Sequence, residues 1–265
     1  MGVVNVTPDS FSDGGLYLDV DAAVAHGEEL VRDGAAVVDI GGESTRPGAA
    51  PVPVDEELRR VLPVVERLGP AKVSIDTRKA AVADAALQAG ATIVNDVSAF
   101  RHDPAMAGVV ARAGAGCCLM HMLGDDPRTM QDRPAYDDVV SDVKEFLEER
   151  LAFAISEGVP EERVWLDPGI GFGKTIEHNL ELLRRLDEIV AIGRPVVVGT
   201  SRKSFLGKLT NRDPRERVAG TIATNVMALE RGASIFRVHD VAANVEALTV
   251  AAATLSGQWK RTPTT

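Results

Sequence analysis

The chain alternates between two hydrophobic periods. Short continuous apolar runs, rich in Val, Ile and Ala, occupy residues 2–6, 35–40, 72–75, 92–94, 116–120, 163–166, 195–198 and 234–236. Between them lie stretches whose apolar positions recur at three- and four-residue spacing: 21–34, 55–68, 79–89, 104–113, 136–157, 177–192, 216–231 and 242–255. In 21–34, Ala22, Val24, Ala25, Leu30 and Val31 follow this spacing and Gly34 marks the end. Short Val/Ile-rich runs of this kind read as strands buried on both faces, hence an all-parallel sheet with helical crossovers. Eight strands alternating with eight helices close most naturally as a (β/α)8 TIM barrel, an α/β fold in a single domain over 1–265. A doubly wound open sheet is the rival, but it rarely takes eight regular units without an inserted domain.

Composition narrows the function classes. The 265 residues match the size of one such barrel, and 45% hydrophobic with 26% charged residues is ordinary for a globular chain. A net charge of -10 argues against wrapping nucleic acid while leaving room for a local anion pocket. No apolar run reaches the roughly 18 residues of a membrane span, and the first strand passes directly into a motif, so neither span nor leader is expected. Cys117 and Cys118 are adjacent within an apolar run, which reads as buried thiols in a reducing cytoplasm.

The strand ends carry the chemistry. In order they bring Asn5, Asp39, Asp76, Asn95, His121, Asp167, Lys203, and Arg237 with His239. A barrel points such positions at one mouth, and buried polar groups there are costly unless they meet partners. Asp76, Asn95 and Asp167 suit a flat heterocycle with a donor-donor edge, since a carboxylate takes such an edge bidentately. Arg237 and His239 precede the final helix, where barrels often bind phosphate. Asn5 offers an oxygen to a Mg²⁺ ion that keeps several waters.

Six segments make the pattern specific: NVTPDSFSDGG (5–15), GESTRPG (42–48), NDVS (95–98), DPGIGFGK (167–174), SRKS (201–204) and RVHD (237–240). In this order, and spanning nearly the whole chain, they closely resemble the dihydropteroate synthase family. Members usually carry further residues before the first strand, whereas this sequence opens on Met1.

The resemblance implies a transferase that condenses 6-hydroxymethyl-7,8-dihydropterin diphosphate with p-aminobenzoate, giving 7,8-dihydropteroate and pyrophosphate in folate synthesis. By motif, Asp76, Asn95, Asp167 and Lys203 would line the pterin pocket. Asn5, Arg237 and His239 would hold the diphosphate, with Asn5 on Mg²⁺. Ser44, Thr45, Arg46, Pro47, Phe172 and Ser204 would shape the p-aminobenzoate site. Asp76, Lys203, Arg237 and Asp167 would carry catalysis, through a pterin-methyl cation that closure of loops 9–15 and 44–48 protects from water. A homodimer is expected through exterior helices, with the apolar faces of 216–231 and 242–255 as candidates. Sulfonamides, as mimics of p-aminobenzoate, would compete at the same site.

Blander readings apply elsewhere. The stretch 169–175 ends in Gly-Lys-Thr, but a P-loop needs Gly where Pro168 stands. His26 and His178 read as solvated helix residues, His121 as either a satisfied strand end or a ligand contact, and Glu145, Glu148, Glu149 and Arg150 as an outer charged face. Two other functions remain open. A pterin-dependent corrinoid methyltransferase shares barrel and pocket but needs a corrinoid protein, and a silent pterin-binding paralogue turns over nothing.

Overall fold

The computed structural model of the protein describes residues 1–7, 20–45, 49–69, 71–124, 129–131 and 134–258. Its strands are β1 (Gly2–Asn5), β2 (Val38–Gly41), β3 (Val73–Asp76), β4 (Ile93–Asp96), β5 (Gly116–Met120), β6 (Val164–Asp167), β7 (Val197–Val198) and β8 (Ile235–Phe236). Their short Val- and Ile-rich sequences suit strands covered on both faces. The helices are α1 (Val20–Arg32), α2 (Val54–Arg67), α3 (Ala80–Gln88), α4 (Met106–Ala113), α5 (Val139–Ser156), α6 (Ile176–Arg184), α7 (Leu186–Val190), α8 (Ser204–Thr210), α9 (Val218–Glu230) and α10 (Val241–Ser256).

The first six strands pair in sequence order, all parallel, and β7 pairs in parallel with β8. Two bridges join these sheets. Leu166 pairs with Val196 just before β7, and Val238 just after β8 pairs with Gly2. The Leu166 amide donates to Pro195 O (3.0 Å), and the Val3 amide donates to Val238 O (3.2 Å). The eight strands thus follow one another around a closed ring, as expected for a (β/α)8 barrel. Val4, Ile40, Ile75, Val94, Leu119 and Leu166 pack against Val61, Val82, Val110, Leu147 and Leu182 of the surrounding helices in one core. No helix among the described residues is long and apolar enough to cross a membrane.

Three elements depart from the pattern-based reading. The stretch 177–192 is two helices, α6 and α7, broken at Arg185 (φ -113°, ψ 30°). The Arg184 carbonyl freed by the break accepts instead from Arg231 Nε (2.9 Å), and Arg185 itself is drawn to Asp138 (2.8 Å). An additional helix, α8, follows Lys203, burying Phe205 and Leu206. The long helix begins at Val139 rather than 136, because Asp138 caps it through the Ser141 amide (3.3 Å).

Leu166 is fully buried beside the β6–β7 junction. Leu166→Ala is expected to cost about 2–5 kcal/mol, read as a lower urea midpoint with unchanged slope.

Candidate active site at the barrel mouth

The register sets a polar ring. Asn5 pairs with Gly41, Gly41 with Asp76 and Asp76 with Asn95 at the C-terminal ends of β1 to β4. Strand alternation places Asp39 on the same inner face as Gly41, one layer deeper. Asp39 is fully buried, and its Oδ2 accepts from Asn95 Nδ2 (3.1 Å) and Arg237 Nε (2.6 Å). Arg237 also donates from its Nη2 to Asp76 Oδ2 (2.7 Å). Burial works against the guanidinium charge, but Asp39 and Asp76 outweigh it and raise the Arg237 pKa above its ordinary value. Burial dominates at Asp76, whose carboxyl is pushed up to about 7 despite the opposing Arg237.

A second group forms across β6 and β7. Asp167 Oδ1 accepts from the Gly169 amide (2.7 Å), yet burial still raises its pKa against Lys203 and that hydrogen bond. Lys203 caps α8 and donates to Ile170 O. Its Nζ lies 4.8 Å from the Phe172 ring centroid, a cation–π arrangement. Burial brings the Lys203 pKa down to about 8, opposed by Asp167. Phe172 is half-buried and packs on an apolar cluster at the mouth, Val97, Met120, Met122 and Met130.

The loop 168–174 is held from several sides. The Gly171 amide donates to Asn179 Oδ1 (2.6 Å), Gln131 Nε2 to Gly171 O (2.6 Å), and Tyr136 OH to Gly173 O (2.7 Å). Gly169 (φ 66°) and Gly173 (φ 65°) adopt left-handed backbones, and a Cβ at either would collide, with His121 O and the Leu123 side chain respectively. Lys174, almost wholly buried, approaches His121 Nδ1 (2.8 Å) and donates to Phe172 O (3.1 Å). His121 is therefore a satisfied strand-end residue, with burial pushing its pKa down to about 2.

The third group lies beside α8 and α10. His239 Nδ1 is 3.0 Å from Ser201 Oγ, and the His239 amide donates to the same oxygen (3.1 Å). Ser204 is exposed at the start of α8, next to Lys203. Ser44 and Thr45 are half-buried in the loop after β2. Arg46 and Pro47 lie outside the described residues, as does the loop 9–15.

The structure therefore joins Asp76, Asn95 and Arg237 through Asp39, brings Lys203 to Phe172, and ties His239 to Ser201. The sequence reading named Asp39 at a strand end without giving it a role, and it missed Ser201 as the His239 partner, the Lys174–His121 pair and the Met cluster. Asp39 had a signal, a lone acid inside an apolar strand. Two bland readings need correction. His178 is half-buried, receives the Thr175 amide at Nδ1 (3.2 Å) to cap α6, and stacks edge-on with Tyr136. Arg150 turns inward, donating from Nε to Ala99 O (2.8 Å) and covering Phe153.

Asp76→Asn tests the electrostatics. A carboxyl held at about 7 in the folded protein, against roughly 3.9 unfolded, costs stability that is fully lost above pH 7 and restored as pH falls towards 4. The variant is expected to melt at or above the parent at pH 8, with its advantage shrinking on acidification. An advantage that grows on acidification contradicts the raised Asp76.

Comparison with known proteins identifies the family. A family model described as "Pterin binding enzyme" matches residues 1–239. Dihydropteroate synthase of Escherichia coli K12 is 46% identical over 261 residues, covering 97% of this chain and 92% of the relative. The structure of Xanthomonas albilineans dihydropteroate synthase with 4-aminobenzoic acid superposes with a TM-score of 0.89 at 51% identity, covering 96% of this chain and 91% of the other. That of Yersinia pestis dihydropteroate synthase with a sulfonamide drug gives 0.91 at 45% identity, covering 96% and 93%. A polar barrel mouth built on Asp39, Asp76, Asn95, Asp167, Lys203 and Arg237, together with these likenesses, places the chain in the dihydropteroate synthase family of pterin-binding enzymes.

Proposed function

We propose that this chain, read as one barrel domain over 1–265, condenses 6-hydroxymethyl-7,8-dihydropterin diphosphate with p-aminobenzoate to give 7,8-dihydropteroate and pyrophosphate. The observation that carries this reading is the convergence at one barrel mouth of an acid pair bridged by Arg237 with a lysine held beside Asp167. Asp167 takes the donor edge of the pterin, Asn95 adds an amide, and Lys203 donates to the ring carbonyl side. Arg237, His239 and Ser201 receive the diphosphate.

Departure of the diphosphate breaks the methylene carbon–oxygen bond, and the electron pair leaves with the oxygen. The resulting pterin-methyl cation lies against Asp76, whose negative form the cation itself favours. The p-aminobenzoate nitrogen attacks the carbon and then sheds a proton. Phe172, Ser44, Thr45, Arg46, Pro47 and Ser204 shape the p-aminobenzoate side, where a sulfonamide competes. No enzyme nucleophile is required. Burial pushes the Cys117 thiol up to about 12 and Cys118 well above its ordinary value, so neither offers a thiolate.

Asn5 supplies one neutral oxygen level with Asp76, and the described residues hold no cluster of three metal-ligating side chains. That donor set fits a Mg²⁺ ion bound through substrate phosphate and water rather than a resident ion. When bound, Mg²⁺ would neutralise charge on the leaving group.

A homodimer fits the exterior. Ile222, Val226, Ala247 and Ala251 line an apolar groove between α9 and α10, and Met227, Val250 and Leu255 are exposed around it. Contiguous exposed apolar surface of this kind favours a protein partner. Sedimentation equilibrium is expected to give a dimer, and Val250→Glu a monomer; a monomeric parent rejects it.

Pyrophosphate release tests the chemistry. With pterin diphosphate and Mg²⁺ it is expected only when p-aminobenzoate is present, and Asp167→Asn is expected to lower kcat/KM by 100-fold or more, about 2.7 kcal/mol. Pterin binding without any turnover indicates the silent paralogue instead.

A further inference from the structure

Two buried asparagines sit behind the mouth, on the outer helices α9 and α10. Asn225 of α9 is fully buried and Asn244 of α10 is 1% exposed. Apolar residues would fill such positions at lower cost, since a buried amide must find partners for both its oxygen and its nitrogen. Their bonds run towards the loops after β7 and β8. Thr200 Oγ1 donates to Asn225 Oδ1 (3.2 Å), and Asn225 Nδ2 donates to Asn244 Oδ1 (2.9 Å). Asn244 Nδ2 donates to Asp240 O (2.8 Å). The Asp240 carboxylate pairs with Arg202, whose amide donates to Thr221 Oγ1 (3.3 Å), back on α9.

The bonds therefore close a loop: α9 to the β7 loop, across to α10, up to the β8 loop, and back through Arg202 to α9. Ser201 and Lys203 flank Arg202, and His239 immediately precedes Asp240. Arg202 adopts a left-handed backbone (φ 58°), which a side-chain-bearing residue keeps only where its surroundings hold it. Thr200 and Thr221 are both fully buried, so these restraints are shielded from competing water.

We propose that Asn225 and Asn244 are positioning residues for the diphosphate end of the substrate, fixing Ser201 against His239 from behind. This rests on the assignment of Ser201, Arg237 and His239 to the diphosphate. Of the pterin anchors, Asp167 and Asn95 lie on β6 and β4, outside the circuit, and Lys203, which adjoins it, is held separately by Ile170 O and the Phe172 ring. Disturbing the circuit therefore acts chiefly on the diphosphate half of the ligand.

The test compares two ligands by titration calorimetry with Mg²⁺ present: the pterin diphosphate, and the same hydroxymethyl pterin without diphosphate. Asn225→Leu and Thr200→Val are expected to weaken the diphosphate ligand by about tenfold or more, the scale of a lost buried hydrogen bond. Binding of the unphosphorylated pterin is expected to stay within about twofold, and Thr200→Ser, which keeps the hydroxyl, to restore the difference. If Asn225→Leu fails to fold, the Thr200 pair decides alone. Equal weakening of both ligands, or a folded variant that keeps the full advantage of the diphosphate, overturns the proposal. A parent protein that binds both ligands equally overturns the diphosphate assignment itself, and this inference with it.

Discussion

Arg237 makes the barrel mouth possible. Two carboxylates, Asp39 and Asp76, face one another in a space that excludes most water, and neither tolerates that alone. One guanidinium bridges both in a planar fork that a lysine could not reproduce. Asn95 completes the arrangement by donating to Asp39. The polar ring above the apolar layers of β1 to β4 is thus held by charge rather than by packing. Even so, the balance is incomplete at Asp76, where burial prevails over Arg237. A carboxyl held on the edge of ionisation responds strongly to any positive charge brought beside it, and a substrate cation is such a charge.

Much of this was legible in the sequence because chemistry interrupts pattern. Asp76, Asn95, Asp167, Arg237 and His239 each end or closely follow a short run dominated by apolar residues, and the barrel brings such ends together. Asp39 stood in plain view inside its strand, but its partner lies 198 positions away and only ring closure joins them. The break between α6 and α7 was unreadable for a similar reason. It is compensated by Arg231, distant in sequence, reaching the Arg184 carbonyl, while the local spacing favours one continuous helix. Helix α8 was hidden by its polar opening, Lys203-Ser204, which reads as loop until Phe205 and Leu206 find the core.

The loops around the site share a mode of construction. Loop backbone groups are fixed by side chains: Asn179, Gln131 and Tyr136 on one loop, and Asp96 on another through the amides of Ser98 and Phe100. Arg150 extends the scheme by holding the Ala99 carbonyl, where two successive residues adopt left-handed backbones. Strain of this sort persists because the surroundings over-determine it. Preorganised backbone needs little reorganisation when substrate arrives, which is where electrostatic catalysis gains most.

The glycines at 169 and 173 carry a consequence for how this surface can adapt. Between them Ile170 is fully buried, and Phe172 is the one large side chain left partly exposed, on the side proposed for p-aminobenzoate. Its neighbours on either flank are locked by their backbone conformations and by atoms standing where a Cβ would go. A larger residue at either glycine would meet those atoms, so this segment resists change residue by residue. The Phe172 ring also covers the Lys203 ammonium and packs on the Met cluster. On the proposed assignment, a change at Phe172 bears on the amine, the lysine and the Met cluster together.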